Sequence, residues 1–417
     1  MLRIDRLRQP GFVPRQLAVP PGLRKSLHDR RLSLLQLREL AGNVALRAAV
    51  RKSAGITESD LKRVLSTLDS LVPAGDSTLA VAPIQIPPLD GIVRPEQRTA
   101  ALSDSGRPPI ARFWKKRTNV LPGEFDHLDI FRYKPLIAQR GPDCVGHACR
   151  NAVELQLNIC DRHFSGLFGW QYAMHEAGYP IPPRGTWPAV VLEGIVKRGI
   201  CWDELYPEEN YHEDRYIAPN ARALADAERH KIDTFVNLRS LIGELDTVDL
   251  MCMLLYGSGS LHLKGRVLVI GVGVPEEWLL PESLVSGVRP IPLSDQPKAG
   301  HSLVLVGYFH HRGQRWFIGL ENWGDKIGSR NPFGYPRNLG LCFIPAEFFR
   351  DPKWFWDLAI SATHAEATVF SAAAATTAVP ALAGSAFRAW TWRAQLALGA
   401  AAGSLGLLRL MFPGNWW

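Results

Sequence analysis

The chain has 417 residues, of which 46% are hydrophobic and 21% charged, a composition that excludes a largely disordered protein. Its net charge of +8 belongs to the first 120 residues, which hold 21 Lys and Arg against 10 Asp and Glu. No unbroken basic run there is longer than residues 115–117. We therefore predict a solvated basic surface and no nucleic-acid partner.

The cysteine content and the N-terminus both favour a reducing compartment. Six cysteines in 417 residues are too few for a disulfide scaffold. The first residues carry early charges without the apolar run of a Sec signal peptide. We predict a cytoplasmic protein, although export by a route without a cleaved signal stays open.

Residues 1–72 are predicted to form a basic helical region. Apolar residues at helical spacing indicate one amphipathic helix over 29–52, with Ser33 and Gln36 as a capping box. Thr57 opens a second helix. Residues 73–120 are rich in proline and predict an extended linker, or a strap lying across a domain surface.

Residues 121–360 are predicted to form the main domain, and residues 361–417 an Ala-rich tail. Helices are expected first and strands later, which indicates an α+β fold with two lobes. The helices are predicted at 145–160 and 186–199, and the strands at 266–274, 301–309, 315–320 and 339–344. The tail predicts either a packed helical segment or membrane contact through residues 367–412.

Cys144 is the first candidate for chemistry. A Gly-Pro turn precedes it, and the residues after it have helical spacing, so the thiol lies at the first turn of a helix. The free N–H groups and the dipole at such a position favour the thiolate. Gln139 offers a nearby amide donor for an oxyanion. The alternative is an inert, buried thiol.

A histidine base and a polar orienting group would complete such a site. His301 opens an apolar strand, which places its ring at the edge of a cleft. A later strand ends in Glu321 and Asn322, followed by Trp323. Both candidates for the orienting group therefore lie at a strand end.

These residues resemble the papain-like cysteine peptidases, particularly their bacterial members. The resemblance covers about 121–358 and rests on Gln139 with residues 144–148, on Gly300-His301 and on Trp323-Gly324. It implies a helical left lobe and an antiparallel, β-barrel-like right lobe. It also implies a peptide or protein substrate and no cofactor or metal. The implied roles are Cys144 as nucleophile, His301 as base, Asn322 as orienting group and Gln139 as oxyanion donor.

The sequence departs from the family pattern in three places. The loop from Gln139 to Cys144 is one residue short, and Gly141 stands where secreted members have a disulfide cysteine. The asparagine element reads Glu-Asn-Trp-Gly, without a serine. Counting back from the tryptophan gives Glu321 as the orienting residue, whereas one deletion gives Asn322, which we favour.

Three functions remain open from the sequence. A cysteine endopeptidase is the first prediction, a catalytically inactive binding or regulatory module is the second, and a Cys-His enzyme for another amide (a deamidase, or one that removes a protein modifier) is the third. The residues before 121 are either an inhibitory pro-segment whose strap crosses the cleft, or a retained region that binds the peptidase domain or a partner.

Overall fold

The structure is a computed structural model. It describes residues 4–14, 16–72, 86, 92, 121–131, 134, 137–178, 185–239, 247–258, 263–337 and 339–363. The predicted tail beyond residue 363 and most of the strap lie outside these residues. None of the helices within these ranges is long and apolar enough to cross a membrane.

The N-terminal region is a cluster of short helices around its own leucine-rich core. The helices are α1 (Ile4–Leu7), α2 (Pro21–Asp29), α3 (Leu34–Leu40), α4 (Val44–Ala54) and α5 (Glu58–Leu71). The capping box is confirmed, because the Ser33 hydroxyl accepts from the Gln36 backbone N–H and the Gln36 side chain accepts in return.

The single helix predicted over 29–52 is wrong. The chain leaves the helix after α3 and begins α4 at Val44. The Asn43 side chain accepts hydrogen bonds from the backbone N–H groups of Ala45 and Leu46. This N-cap stabilises a new helix start, which the continuous leucine spacing conceals in the sequence.

The first half of the main domain is helical. It contains α6 (Leu128–Phe131), α7 (Cys144–Gln156), α8 (Gly166–Glu176), α9 (Pro188–Arg198) and α10 (Ala221–Ala227). Helix α7 packs closely on α8, because a Cβ atom at Gly146 would lie 2.2 Å from the carbonyl oxygen of Gly166. The missing side chain therefore sets the distance between the two helices.

The second half contains a seven-stranded antiparallel sheet, a separate two-stranded sheet of β3 and β4, and two further helices, α11 (Thr247–Tyr256) and α12 (Pro281–Ser286). The strands are β1 (Phe125–Asp126), β2 (Thr234–Asn237), β3 (Gly257–Ser258), β4 (Leu263–Lys264), β5 (Leu268–Val274), β6 (Ala299–His311), β7 (Gln314–Leu320), β8 (Leu341–Pro345) and β9 (Phe355–Ala362). The main order is β2-β9-β5-β6-β7-β8, with β1 on β6. The α+β prediction is confirmed, although this strand order is an open path and not a closed barrel.

The N-terminal region contacts the main domain through polar groups around α12. Buried Arg8 pairs with buried Glu282 at 3.0 Å. The Gln36 side-chain amide donates to the Ser283 hydroxyl at 3.0 Å and to the Val288 carbonyl at 2.9 Å. These contacts fix residues 4–72 against the segment that leads to β6.

Candidate active site

Cys144 is the first residue of α7, as predicted, and its side chain is fully buried. The backbone N–H groups of Ser302 and Val145 are near its sulfur and act to lower the pKa of the thiol. Ser302 is on β6, directly after His301, so the sulfur lies against the strand that carries the predicted base. The structure therefore brings the helix start and the histidine strand together.

Burial governs the protonation of this thiol. Loss of water raises the pKa of Cys144 far above its ordinary value, and the lowering by the Ser302 N–H group does not compensate. The carboxylates of Asp143 and Glu321 add to the rise. The helix start alone predicted a favoured thiolate. In the structure, the effect of burial on the pKa of the thiol outweighs the effect of the helix start.

His301 is held by a carboxylate. Its Nε2 atom lies 2.7 Å from Oε2 of Glu321, and both side chains are buried. Interaction with His301 lowers the pKa of Glu321 to about 2 despite burial, so the carboxylate is ionised and can only accept. Nε2 must therefore carry the proton. In the neutral ring, Nδ1 is then free to accept one.

Arg289 fixes the other oxygen of Glu321. Its Nη2 atom donates to Oε1 of Glu321 at 3.0 Å, and both side chains are fully buried. Its Nη1 atom donates to the carbonyl oxygens of Trp278 at 2.9 Å and Ser283 at 3.2 Å. The glutamate is consequently clamped between a guanidinium and the imidazole.

Asn322, the predicted orienting residue, does not contact His301 through a hydrogen bond. Its side-chain nitrogen is buried and has no hydrogen-bond partner among the described residues. Its backbone carbonyl accepts from the backbone N–H of Gln139 at 2.9 Å. Glu321, which the direct count from Trp323 gave as the alternative, is the residue that contacts the His301 ring.

Gln139 lies in the short loop before Cys144, and the same backbone bond ties it to Asn322. Its side-chain Nε2 donates to the carbonyl oxygen of Gly141 at 3.0 Å. That nitrogen carries a second hydrogen, so the amide can still donate to an oxyanion. The structure brings Gln139, Cys144 and His301 into one region, while their catalytic roles stay predictions.

One residue of the strap lies against the histidine strand. Ile92 is 3% exposed and forms an isolated parallel β-bridge with Thr186, which precedes α9. Gly300 directly precedes His301, and a Cβ atom there would lie 2.4 Å from Cγ2 of Ile92. Ile92 therefore spans from the helical half to the sheet, next to His301.

Sequence reasoning missed Arg289 and Ile92. Arg289 stands 32 residues before its partner Glu321, in a stretch with no catalytic pattern. Ile92 belongs to a proline-rich segment whose contacts no periodicity reveals. The strap hypothesis was the only signal that pointed toward it.

Several solved structures of cysteine proteases are similar to the chain, each with a TM-score below 0.5. One similar solved structure is xylellain, a cysteine protease from Xylella fastidiosa (19% identity, TM-score 0.45, covering 58% of this chain and 87% of that one). Another is the ragweed pollen allergen Amb a 11, a cysteine protease in its proform (13% identity, TM-score 0.48, covering 78% and 95%). A third is procathepsin L 3 of the Tenebrio molitor larval midgut (13% identity, TM-score 0.46, covering 83% and 94%). No protein-family model and no curated protein sequence matches the chain.

Proposed function

We propose that the protein is a cysteine-type peptidase that uses Cys144, His301 and Glu321. The observation that carries this proposal is the 2.7 Å contact between His301 Nε2 and the buried carboxylate of Glu321. It fixes the ring tautomer that a general base needs, on the strand that touches the Cys144 sulfur.

The proposed reaction is acyl transfer. His301 Nδ1 takes the Cys144 thiol proton as the sulfur attacks the substrate carbonyl, and Glu321 stabilises the imidazolium that forms. The backbone N–H of Cys144 and the Gln139 amide donate to the oxyanion. The imidazolium then protonates the leaving amine. Water, deprotonated by the same ring, attacks the thioester and releases the acid and the thiol.

We also propose that the strap covers the cleft in this structure, with Ile92 next to the histidine strand. Ile92 lies beside Gly300, which directly precedes His301, so the strap would hinder a substrate from reaching the ring. Cys144 and His301 are then buried, which accounts for the raised pKa of the thiol. The peptidase would become competent when the strap leaves.

Labelling with an epoxide-type cysteine-peptidase probe tests the nucleophile. Wild-type protein should be labelled at Cys144 once the strap has been displaced or cut, and Cys144→Ala should not be labelled. Cys160→Ala is the matched control, because Cys160 is an exposed thiol away from the site. Equal labelling or equal peptide cleavage by Cys144→Ala and wild type would contradict the proposal.

Substitution of Ile92 tests the cover in the full chain. Ile92→Asp places a charge in a buried apolar position, so the strap should detach and labelling of Cys144 should accelerate roughly tenfold or more. Val44→Asp is the control, since Val44 is 85% exposed in the N-terminal region. Unchanged labelling in Ile92→Asp would refute the strap as a cover while leaving the peptidase proposal intact.

A non-catalytic module is the second candidate, and one observation favours it. His301 Nδ1 makes no hydrogen bond within the described residues, so thiol and ring are not joined in this form. In such a module Cys144 would react with iodoacetamide no faster than a free thiol, even in Ile92→Asp. If Cys144 is reactive but no peptide is cut, product mass spectrometry distinguishes deamidation or removal of a protein modifier.

A further inference from the structure

A second group of buried ionisable side chains surrounds the start of α7, next to the candidate nucleophile. Asp143 precedes α7, His147 is in its first turn, and Glu208 begins a short 3-10 helix, Glu208–Asn210. Nε2 of His147 lies 3.1 Å from Oδ2 of Asp143 and 3.0 Å from Oε1 of Glu208. All three side chains are at least 95% buried. One imidazole nitrogen and two carboxylate oxygens therefore converge on one point, and each is an atom type that binds metal ions.

Hydrogen bonds do not satisfy this group. The single Nε2 hydrogen serves Asp143, and no donor among the described residues reaches Oδ1 of Asp143 or either oxygen of Glu208. Buried carboxylate oxygens without donors are costly. The guanidinium of Arg150, one turn after His147 on α7, lies 3.8 Å from the carboxylate of Glu154. Two carboxylates therefore face one imidazole, and an imidazolium could balance only one of them.

We propose that Asp143, His147 and Glu208 bind a first-row divalent cation of the zinc type. A doubly charged ion balances the two carboxylates while leaving the imidazole neutral. Zinc holds nitrogen and oxygen ligands at about 2.0–2.1 Å, so tetrahedral ligand atoms are about 3.3 Å apart. The 3.0 and 3.1 Å separations are close to that spacing, and all three atoms lie within 4.8 Å of one another.

The donor set also selects the class of cation. Calcium takes six to eight oxygen ligands, and magnesium keeps several waters in an octahedral shell. A buried site with one imidazole nitrogen and two carboxylates suits neither. Imidazole is instead a preferred ligand of zinc and its neighbours in the first row. The sequence predicted no metal, because Glu208 lies on a segment distant from Asp143 and His147 and the three residues form no motif.

The proposed ion would join the nucleophile loop to the segment around Glu208. This loop lacks the family disulfide, since Gly141 stands at the cysteine position and packs on the ring of Tyr211. A cation held by Asp143 and Glu208 would constrain the loop in its place. Zinc binding at this site does not require peptidase activity, so the two proposals are tested independently.

Zinc titration of the full-length chain tests the site. The parent protein carries Cys144→Ser and Cys160→Ser, which remove the candidate nucleophile and the exposed thiol as competing zinc ligands. Competition with a chromophoric chelator should give one tight zinc per chain, and zinc should raise the melting temperature. Cobalt(II) should give the visible absorption bands of a four-coordinate site.

Glu208→Gln in this parent should weaken zinc binding roughly tenfold or more and abolish the melting-temperature rise. His147→Ala should do the same. His163→Ala is the matched control, because His163 also contacts a buried carboxylate, Glu154, but Lys134 neutralises that one at 2.7 Å. It should retain the zinc. Because Glu208→Gln keeps the side-chain shape, it tests the site even if His147→Ala fails to fold.

Two results would overturn the proposal. One is that the parent holds no zinc after desalting and does not respond to zinc in melting. A proton shared between Asp143 and Glu208 would then be what relieves their repulsion. The other is zinc binding that Glu208→Gln and His147→Ala leave unchanged, which would place the ion elsewhere.

Discussion

Arg289→Met removes the guanidinium that clamps Glu321, and its effect on stability can be estimated from the structure. The pKa of Glu321 falls from 4.5 to about 2, which corresponds to about 3 kcal/mol of stabilisation of its charged form. This stabilisation is present above pH 4.5 and is lost as the pH falls toward 2. His301 supplies its largest part and Arg289 the rest.

Removing one partner of a buried pair also leaves the other charge uncompensated, which usually lowers the free energy of unfolding by about 3–5 kcal/mol. We expect Arg289→Met to lower the free energy of unfolding near neutral pH by about 3 kcal/mol, measured by urea denaturation with tryptophan fluorescence. Arg31→Met is the matched control. Arg31 contacts Glu347 at the same 3.0 Å, but that carboxylate is 35% exposed, so the loss should be about 1 kcal/mol or less.

A double substitution separates stability from catalysis. Arg289→Met with Glu321→Leu replaces both charges by apolar side chains of similar size and should recover much of the stability. It should not recover activity, because His301 has then lost its acceptor. The reasoning is refuted if Arg289→Met destabilises no more than Arg31→Met. It is also refuted if the double variant is as active as wild type.

Three further predictions follow from the contacts described above. Glu321→Gln should lower kcat/KM roughly 100-fold or more, whereas Asn322→Ala should lower it less than about tenfold, because its backbone carbonyl still holds Gln139. Glu39 and Glu282 meet where the N-terminal region docks, and burial raises the pKa of each to about 7. Docking should be strongest below pH 4.5 and weaken as the pH rises through 7. Limited proteolysis of residues 4–72 should therefore become faster as the pH rises. Gly146→Ala should cost about 1–3 kcal/mol of stability, because its Cβ meets a backbone carbonyl of α8.

Each of these predictions has its own control. If Glu321→Gln and Asn322→Ala lowered kcat/KM by the same factor, the orienting role of Glu321 over Asn322 would be contradicted. Glu282→Gln should flatten the pH dependence of proteolysis, and an unchanged pH profile would show that other groups set it. Gly123→Ala should leave stability unchanged, since a Cβ there meets no atom within 4 Å. A similar loss at both glycines would contradict the packing argument.

The positions of Cys144 and His301 were predictable because local patterns determine them. A Gly-Pro turn followed by helical spacing places the thiol at a helix start, and a run of apolar residues places the histidine on a buried strand. The choice between Glu321 and Asn322 was not local. It depends on Arg289, which belongs to another segment, and on the direction of the chain after β7.

The polar face of α7 shows a second limit of sequence reasoning. His147, Arg150 and Glu154 recur at three- and four-residue steps, which usually indicates a solvent-facing side. In the structure all three are buried. Lys134 and Glu208, from distant segments, face them, and no periodicity within the helix reports such partners.

Ser283 connects the N-terminal region to the candidate site. Its carbonyl oxygen holds Arg289, and its hydroxyl accepts from Gln36 of α3. Residues 4–72 therefore contact the residue that holds the clamp on Glu321, and in the proposed covered form Ile92 blocks the cleft. A single cut between residues 92 and 121 would release the strap and keep residues 4–72 docked. The active species would then be a nicked, two-chain protein and not a trimmed domain.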